Sequence, residues 1–572
     1  MLKKSGAEVL CDCLRRRGVK FVFGIPGAHN MDLFEALRRS EIQVVASTHE
    51  QGAAFMANGY SRVTGETGVF LTIPGPGFTN AFTGIAESLS DSCPVVGILA
   101  GVKSNTNRVF QFHEIQQIEL ARPITKGVYT VLKPDEIFET IEEVFQIAES
   151  GEPGPVILEV PSNVLSECVS LSRGDGGEKG ESLPLQDFDR EFTQAIDFIN
   201  RSKRVGMFVG LGAADAAEQV KEVAEWLTAP VATTLSGRGC LSEKHPLSLG
   251  FGWTRNGMES VNLIFDTCDL ILAIGTKFSQ IGTEDFHLRF TSPLIHVDAS
   301  KDVPGKNYPA VLVLQMNAKE FLNRLFMMKE HLGPREDKEV LELIEQQRRM
   351  RFSLIEKRDR DPVRLSLGGY SCSPCNFFST LREVLPEDSI LITDSGYHQI
   401  WARENFRVLK PRTFITPSDY QSMGYAIPGA IGAAISIPHK KVVAVVGDGG
   451  FLMSGFELMT AVREEVDLLI ILFNDGYFGL IKEMQEDKFG AACGVELAVP
   501  NFKKLAESLG VHYQVSVGDI GTTLRDCIQR KGLRLLEVKV TYEKRPLTSR
   551  IKRQLKRKKG DLKQSARRVM EI

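Results

Sequence analysis

Short apolar runs recur along the whole chain, and most of them end in a glycine-rich or polar turn that leads into a segment with helical periodicity. Residues 42–46, 205–209, 442–446 and 468–473 are clear examples. Apolar runs of this length, separated by helices, are typical of strands buried in a parallel sheet. The pattern therefore predicts an α/β fold built from doubly wound parallel sheets.

The spacing of these runs divides the chain into units. At roughly 150 residues per domain, 572 residues correspond to about three or four domains. We predict units at 1–165, 190–330 and 375–542, followed by a tail at 543–572. A segment rich in Gly, Ser and charge (166–189) is expected to link the first two units, and a charged helix (336–360) with a loop (361–373) to connect the second and third.

Composition is that of an ordinary soluble globular protein, with 43% hydrophobic and 25% charged residues. No apolar run reaches the length of a membrane span, and the N-terminus lacks the apolar core of a signal peptide. Among the ten cysteines, the only close pairs are Cys11 with Cys13 and Cys372 with Cys375; the second could form a redox or metal half-site, but no partner half-site accompanies it. Reduced structural cysteines, a cytoplasmic location and no contact with a membrane are therefore expected.

Charge is unevenly distributed along the chain. The segment 543–572 carries twelve Lys/Arg and three Asp/Glu, although the whole chain has a formal net charge of −3. A solvated helical extension is the simplest interpretation of such a basic segment, and it could instead lie over the acidic body of a neighbouring subunit. No recognition module accompanies the tail, which argues against nucleic acid as a partner.

Two motifs in the third unit predict a site for a diphosphate held through Mg²⁺. The run at 442–446 leads into GDGG (447–450), and the run at 468–473 leads into NDG (474–476). Both motifs are expected at the carboxyl edge of the sheet, where doubly wound folds bind ligands. Glycines let backbone N–H groups approach phosphate oxygens, and side-chain oxygens suit a hard cation. A Gly-Asp-Gly turn alone is common, but the two motifs together indicate a ligand site.

A second candidate lies in the first unit, at Glu50. The run at 42–46 is followed by THEQGAA (48–54), and a Gly/Pro-rich turn, PGPG, follows at 74–77. This pattern places Glu50 at the mouth of a sheet, near a helix N-terminus. Taken alone, an acidic residue there is adequately explained by the favourable interaction of a carboxylate with the helix dipole.

Together the two signals resemble those of the thiamine diphosphate (ThDP) enzymes of the acetolactate synthase and 2-oxo acid decarboxylase family. The resemblance covers about residues 1–540. It rests on FGIPGAHN (23–30), HEQGAAFMANGYSRVTG (49–65), PGPGFTNAFTGIAES (74–88), GEPGPVILEVP (151–161), TDSGYHQIW (393–401), MGYAIPGAIGA (423–433) and GDGGF (447–451). It implies three α/β domains, which are pyrimidine-binding, central Rossmann-like and diphosphate-binding in chain order. It also implies ThDP and Mg²⁺ as cofactors and small 2-oxo acids as substrates.

The resemblance implies roles for individual residues as well. Glu50 is expected to hydrogen-bond the aminopyrimidine ring of ThDP, and Met423 to hold the cofactor in its bent conformation. The implied metal ligands are Asp448, Asn474 and the carbonyl of Gly476. The implied cofactor-binding positions are Glu50, Tyr397, His398, Ser422, Met423, Gly447, Asp448, Gly449, Gly450, Asn474 and Gly476. Because the family forms its ThDP site between two subunits, a homodimer or homotetramer is expected.

Two histidines bear on the choice of reaction. His29 lies in GAHN (27–30), where the family usually has Gly-Gly-Ala, and His113 lies in FHE (112–114), where carboligases usually carry Gln. An imidazole near the reacting centre can donate a proton at neutral pH, which favours release of an aldehyde. Either ring could equally be a structural side chain, but their joint placement in two site loops makes both, with Glu50, candidate catalytic residues.

Three functions remain open at the level of the sequence. The leading expectation is an acetolactate synthase-like carboligase, which decarboxylates a 2-oxo acid and transfers the resulting acyl-anion equivalent to a second carbonyl. The alternative is a simple decarboxylase similar to guanidino-oxopentanoate decarboxylase. A non-catalytic or regulatory subunit is a third interpretation, against which the intact Glu50, Asp448 and GDGG argue.

FAD is not expected in the central unit. Only a fragment of a dinucleotide-binding motif, VGLGA (209–213), is present. Biosynthetic acetolactate synthases usually carry Arg-Phe-Asp-Asp-Arg where this chain has TKFSQ (276–280). Without the paired Arg and Asp residues, the resemblance does not extend to a bound flavin.

Overall fold

The computed structural model of the chain describes residues 2–171, 189–251, 257–357, 363–515 and 518–542. The predicted linker at 166–189 lies mostly outside the described residues, and the basic tail at 543–572 lies entirely outside them. Within the described part of the chain, no helix is both long enough and apolar enough to cross a membrane.

The first unit contains a six-stranded parallel sheet and a separate two-stranded sheet. Its strands are β1 (Leu2–Ser5), β2 (Phe21–Gly24), β3 (Gln43–Ala46), β4 (Gly68–Thr72), β5 (Val95–Gly101), β6 (Gly127–Thr130), β7 (Pro155–Pro161) and β8 (Cys168–Leu171). Its helices are α1 (Gly6–Arg16), α2 (Met31–Arg38), α3 (Glu50–Thr64), α4 (Pro76–Asn80), α5 (Phe82–Ser90), α6 (Gln117–Ala121), α7 (Ile137–Glu149) and α8 (Ser162–Ser166). The sheet order is β3-β2-β4-β5-β7-β6, and β1 pairs antiparallel with β8.

The central unit is a second six-stranded parallel sheet. Its strands are β9 (Val205–Val209), β10 (Val231–Thr233), β11 (Ser248–Phe251), β12 (Leu270–Ile274), β13 (Leu294–Asp298) and β14 (Leu312–Gln315). Its helices are α9 (Asp189–Arg201), α10 (Ala217–Leu227), α11 (Gly257–Phe265), α12 (Ala318–Met327) and α13 (Lys338–Lys357). The order β11-β10-β9-β12-β13-β14 places the first strand next to the fourth, which is the Rossmann arrangement.

The third unit holds an eight-stranded sheet. Its strands are β15 (Val363–Leu367), β16 (Tyr370–Cys372), β17 (Ile390–Thr393), β18 (Phe414–Ile415), β19 (Val442–Gly447), β20 (Leu468–Asn474), β21 (His512–Gln514) and β22 (Leu533–Tyr542). Its helices are α14 (Pro374–Val384), α15 (Tyr397–Asn405), α16 (Ala426–Ser436), α17 (Asp448–Ser454), α18 (Leu458–Arg463), α19 (Gly479–Phe489), α20 (Phe502–Ser508) and α21 (Ile520–Gln529). The order is β16-β15-β22-β20-β19-β17-β18, and β21 also pairs with β22.

The predicted fold class is confirmed, with one difference in the third unit. The segment expected to be a loop (361–373) contains the hairpin of β15 and β16. Buried and half-buried residues alternate along VRLSL (363–367), and the turn consists of Gly368 and Gly369, which both have positive φ. Alternation that ends in Gly-Gly is a hairpin signal that the sequence analysis missed. Because β15 pairs antiparallel with β22, this sheet is mixed and already begins at Val363.

The first and third units pack directly on each other through α3 and α16. A Cβ on Gly59 would lie 2.1 Å from the carbonyl oxygen of Gly429, and one on Gly432 would lie 2.1 Å from that of Met56. The two helix backbones are therefore in contact at positions where no side chain fits. Buried residues of both units form one continuous apolar core around these helices.

Candidate active site

Glu50 is the first residue of α3, at the carboxyl edge of the first sheet. The helix begins here because His49 caps it, with Nδ1 accepting a hydrogen bond from Gln51 N at 3.2 Å. Asn80 Nδ2 donates to Glu50 Oε2 at 3.0 Å. A Cβ on Gly77 would lie 3.2 Å from Oε1. One carboxylate oxygen is thus held by Asn80, and the other lies beside the PGPG turn.

The two candidate histidines meet next to the same turn. The ring centroids of His29 and His113 are 5.4 Å apart, and Phe112 stacks on both rings. A Cβ on Gly75 would lie 2.8 Å from the His113 carbonyl oxygen, so the loop approaches the turn closely. His113 has φ +69°, an uncommon conformation for a residue other than glycine and one that clusters at functional sites. Burial lowers the pKa of His29, and the adjacent His113 adds to this effect.

Asp448 begins α17 at the carboxyl end of β19, and it is 2% exposed. Its carboxylate accepts hydrogen bonds from Gly449 N at 2.8 Å and from Gly476 N at 2.7 Å. Burial raises the pKa of Asp448 to about 6, and the charge of Asp475 acts in the same direction. Two neighbouring carboxylates at a strand end form a suitable place for a hard cation.

The other two predicted metal ligands already have protein partners. Asn474 is the last residue of β20, and its Nδ2 donates to Glu537 Oε1 at 2.7 Å. The Gly476 carbonyl accepts from Leu497 N at 2.9 Å. Among the described residues, no group of three or more His, Cys, Asp or Glu side chains could hold a metal ion. A cation at Asp448 would therefore need amide, backbone, water or diphosphate oxygens as further ligands, and the assignment of Asn474 and the Gly476 carbonyl stays a prediction.

Asp394 organises the loop that carries Met423, although the sequence analysis gave it no role. It directly follows β17, is fully buried, and accepts from Gly424 N at 3.0 Å and Ala426 N at 2.9 Å. Burial raises its pKa to about 6. Met423 Cε lies 3.4 Å from the place of a Cβ on Gly449, so the loop holds Met423 over the GDGG turn. Asp394 lies at the end of a strand beside β19, and this position could have identified it from the sequence.

The remaining predicted residues surround the same turn. A Cβ on Gly447 would lie 3.1 Å from the His398 ring, and burial lowers the pKa of that ring to about 3. A Cβ on Gly450 would lie 2.8 Å from Asp394 Oδ1. Tyr397 donates its hydroxyl to Glu483. The predicted residues thus form two groups, one at Glu50 on the first sheet and one at Asp448 on the third.

Side chains of the TKFSQ loop in the central unit contact other parts of the protein. Lys277 reaches the first unit, where it pairs with Glu152 and donates to the Ser90 carbonyl at 3.1 Å. Phe278 is buried in the central core and stacks on Phe208 with centroids 5.3 Å apart. The loop borders a cavity of about 310 Å³ that is lined by all three units.

Three models of the thiamine pyrophosphate enzyme family match this chain. The N-terminal TPP binding domain matches residues 4–120, the central domain matches 192–325, and the C-terminal TPP binding domain matches 394–538. A probable acetolactate synthase large subunit of Methanocaldococcus jannaschii is 32% identical over 558 residues, which cover 93% of this chain and 91% of the relative. The chain belongs to the thiamine pyrophosphate enzyme family.

Other relatives of this thiamine pyrophosphate enzyme carry similar names. Acetolactate synthase isozyme 1 large subunit of Escherichia coli (strain K12) is 30% identical over 555 residues, covering 95% of both chains. Acetolactate synthase 1, chloroplastic, of Nicotiana tabacum is 31% identical over 569 residues, covering 95% of this chain and 83% of the relative. The resemblance inferred from the motifs is confirmed, and with it the prediction of a ThDP-dependent enzyme.

The side chains present in this family member fit ThDP. Several buried polar atoms of the described residues have no hydrogen-bond partner in the protein. Four of them belong to predicted site residues, namely His29 Nδ1, His113 Nδ1, His398 Nε2 and Ser422 Oγ. Buried polar atoms are normally paired, so these atoms are open to a polar ligand. They occur in both groups, as a ligand with a pyrimidine at one end and a diphosphate at the other requires.

The sequence analysis missed three polar residues that support this thiamine pyrophosphate site. Asn80 bonds Glu50, Gln117 Oε1 accepts from the N–H of the PGPG turn at 3.1 Å, and Glu87 Oε2 accepts from Ser422 N at 3.0 Å. Their partners lie 30, 42 and 335 residues away in sequence. No local pattern could have identified them, because the contacts exist only after folding.

Proposed function

We propose that this protein is a ThDP- and Mg²⁺-dependent carboligase of the acetolactate synthase type, which decarboxylates a 2-oxo acid and transfers the remaining acyl unit to a second carbonyl compound. The observation that carries the proposal is the match to acetolactate synthases along 93 to 95% of the chain. When bound, ThDP supplies the electron sink that lets a 2-oxo acid lose CO₂.

Glu50 would hold the proton that is exchanged with the aminopyrimidine ring. Asn80 already donates to Oε2, which leaves Oε1, the oxygen beside the PGPG turn, for the ring nitrogen. The hydrogen bond from Asn80 also fixes the plane of the carboxyl group, so that the proton is presented in one direction.

Asp448 would be the first side chain to hold Mg²⁺, and Asn474 and Asp475 are the candidates for the second. Asn474 donates its Nδ2 to Glu537, a bond that does not use Oδ1, the atom that would bind a cation. The Gly476 carbonyl accepts from Leu497 N, and a carbonyl oxygen has a second lone pair. Asp475 Oδ1 accepts from Tyr477 N at 2.9 Å, which orients its carboxylate at the same turn. Carboxylate, amide and carbonyl oxygens all match the preference of Mg²⁺ for hard ligands, and diphosphate oxygens would supply the rest.

Exposed apolar side chains on the first and third units support a homodimer or homotetramer with ThDP sites between subunits. Phe110 and Phe112, on the loop of His113, are 95% and 70% exposed. Phe456 and Phe489 of the third unit are 68% and 71% exposed. Apolar surface of this kind marks association sites. No disulfide joins the ten cysteines, all of which lie in the described part of the chain, and this supports a reducing, cytoplasmic location.

A mixing experiment tests the shared site. Chains carrying Glu50→Gln are co-expressed with chains carrying Asp448→Ala. If each site combines Glu50 of one chain with Asp448 of another, a mixed dimer keeps one intact site. Random pairing then restores about a quarter of the wild-type activity. Activity no higher than that of either variant alone would place both residues of a site in one chain.

A simple decarboxylase is the second candidate, and the histidine pair favours it. His29 and His113 lie together beside the PGPG turn that borders Glu50, and His113 is held in a left-handed conformation. A neutral imidazole at this place could pass a proton to the carbon that has lost CO₂, which releases an aldehyde instead of a new C–C bond.

Product analysis decides between the two reactions. The pure protein is incubated with pyruvate, ThDP and Mg²⁺, and CO₂ is measured together with acetolactate and acetaldehyde. One acetolactate with one CO₂ for every two pyruvates is the expected result for a carboligase. Acetaldehyde in equal amount to CO₂ would establish the decarboxylase. If ThDP binds but pyruvate is not consumed, longer and cationic 2-oxo acids are tested as donors.

No flavin is expected in the purified protein. The Lys277–Glu152 pair and the buried Phe278 occupy the loop where flavin-binding relatives of the same type are expected to carry paired charges. Visible absorption of the purified protein and of its denatured supernatant tests this directly. A stoichiometric flavin spectrum would overturn this expectation.

A further inference from the structure

Glu457 of the third unit holds the backbone that precedes Glu50 of the first unit. Its carboxylate is almost fully buried, at 2% exposure. Oε1 accepts from His49 N at 3.0 Å, and both oxygens accept from Thr48 N, at 3.1 and 3.2 Å. Thr460 Oγ1 donates to Oε2 at 2.8 Å. These bonds fix the carboxyl group and the two backbone amides relative to each other.

The contact lies at the start of α3. Thr48 and His49 are the last two residues before the helix, and Glu50 is its first. A Cβ on Gly52 would lie 2.0 Å from Glu457 Oε1, so the carboxylate presses against the first helical turn. A negative charge at a helix N-terminus is favourable, because the first N–H groups carry the positive end of the helix dipole. The direction in which Glu50 leaves the backbone therefore depends on where Glu457 sits.

We propose that Glu457 is a positioning residue for Glu50. It acts through the N–H groups of residues 48 and 49, and it ties the docking of the third unit to the orientation of the carboxyl group at the helix start. The role assigned to Glu50 belongs to the proposed function, on which this inference rests. Three donors converge on the Glu457 side chain, so acceptor oxygens are needed at this place.

A second carboxyl group makes a contact in the opposite direction, from the first unit to the third. Glu87 of the first unit is fully buried and accepts from Ser422 N at 3.0 Å, directly before Met423. Each unit thus supplies a buried carboxylate that holds the site-bearing loop of the other unit. Packing of the apolar helices alone does not need these contacts. Burying a carboxyl group costs free energy unless it is paired, so their presence indicates a role beyond docking.

The competing interpretation is that Glu457 only holds the two units together. Tyr425→Phe provides the matched control. Tyr425 is fully buried, and its hydroxyl donates to Asn58 Oδ1 at 2.7 Å across the same pair of units. Removing this bond weakens docking without touching residues 48 to 50. A purely structural Glu457 predicts that both variants lower the thermal midpoint and leave the kinetics alike.

The experiment measures kcat, KM and the calorimetric affinity for ThDP with Mg²⁺ in four proteins: wild type, Glu457→Ala, Glu457→Gln and Tyr425→Phe. Glu457→Ala is expected to lower kcat by about 10- to 100-fold, since a misplacement of about 1 Å at a catalytic group has this effect. Glu457→Gln is expected to regain most of the loss, because its single oxygen can accept from both N–H groups while its NH₂ donates to Thr460. Tyr425→Phe is expected to keep kcat within about twofold of the wild type.

A double-mutant cycle with Glu50→Gln separates positioning from general damage. If Glu457 acts through Glu50, Glu457→Ala in the Glu50→Gln background lowers kcat and ThDP affinity by less than about twofold further. Effects that add in full would overturn the inference, as would a Glu457→Ala variant with wild-type kcat and affinity. If Glu457→Ala does not fold, Glu457→Asp takes its place under the same criteria.

The two proposals fail in different ways. A wild-type protein that binds no ThDP overturns the proposed function and the role of Glu457 together. The wild-type protein could instead bind ThDP but turn over none of the 2-oxo acids tested. The ThDP affinities measured in the double-mutant cycle then decide the role of Glu457. Turnover in the wild type with additive losses in the cycle overturns the role of Glu457 alone.

Discussion

The two halves of the candidate site are built differently. In the third unit, Asp394 and Asp448 are buried at strand ends and are bonded mainly by backbone N–H groups. In the first unit, Glu50, His29 and His113 are only half-buried and are held by side chains or by ring stacking. The third unit thus offers a rigid receptor, and the first unit offers side chains that can be exchanged without disturbing the sheet.

This difference suggests where the choice of reaction lies. A receptor for a diphosphate and Mg²⁺ has to be the same for every ThDP reaction, and backbone groups supply it well. Protonation or C–C bond formation depends on which side chains stand near the reacting carbon. We therefore expect variants of the third unit to alter cofactor binding and variants of the first unit to alter turnover or products.

The largest effect is expected for Glu50→Gln. An amide cannot exchange the proton, so kcat should fall by about 10²- to 10⁴-fold, the range typical of a lost general acid–base group. The affinity for ThDP should change far less, because the diphosphate receptor is intact. Steady-state kinetics and calorimetry on the same preparation check both parts. Wild-type turnover in this variant would contradict the assigned role.

The second-largest effect is expected in the third unit, at Asp448. Asp448→Ala should weaken Mg²⁺-dependent ThDP binding by at least about 100-fold, since even second-shell changes at metal sites cost about 10- to 100-fold. Calorimetric titration with and without Mg²⁺ measures it. Asn474→Ala and Asp475→Ala should each weaken binding less than Asp448→Ala. The larger loss of these two identifies the second side chain that binds the metal.

A smaller and more specific effect is expected for His113→Gln. The ratio of aldehyde to C–C-bonded product should fall by about tenfold, because the imidazole that can protonate the reacting carbon is gone. The affinity for ThDP should stay within about twofold of the wild type. Product analysis with pyruvate, or with the donor found for the wild type, provides the measurement. His29→Gln is the companion variant, and an unchanged product ratio in both would mark the pair as structural.

The smallest effect concerns an acid outside both halves. Burial raises the pKa of Asp298, at the end of β13, to about 6, as it does for Asp394 and Asp448. An acid whose pKa is higher in the folded than in the unfolded state costs no stability below the unfolded pKa. The cost appears as pH rises from about 4 to 6, up to about 3 kcal/mol. Asp298→Asn should therefore raise the thermal midpoint at pH 7.5 by a few degrees.

At pH 4 the same variant should melt like the wild type, and kcat at pH 7.5 should be unchanged. Thermal melts at both pH values and one kinetic assay are sufficient. A loss of turnover in Asp298→Asn would extend the functional site into the central unit. The expected outcome would instead show that a raised pKa at a strand end does not by itself mark a catalytic group.

The candidates that the sequence offered lie at the ends of strands. Apolar runs followed by glycine and acid pointed to GDGG and, with the family motifs, to Glu50, and their roles stay predictions. Asp394 follows the same rule, since it comes directly after β17, but the sequence analysis gave it no role. Glu87, Glu457 and Asn80 could not be predicted, since each acts on a partner brought close by tertiary packing.

Metal ligation illustrates a different limit of the sequence. The NDG motif leaves two adjacent side chains, Asn474 and Asp475, as candidates. The choice depends on how each side chain is oriented by its neighbours after folding. Glu537, on β22, accepts from the amide nitrogen of Asn474 and so fixes the orientation of that amide. The presence of Glu537 at that register is not visible in the motif.

The glycine contacts between α3 and α16 also affect how the chain matures. Met56 and Gly432 meet backbone to backbone, yet the ribosome makes them far apart in time, by roughly 20 to 75 s at rates of about 5–20 residues per second. Until then, the bare glycine face of α3 has no partner, and Thr48 and His49 have no carboxylate to bind. The contacts that bury α3 and hold its first residues can therefore form only after the third unit has been synthesised.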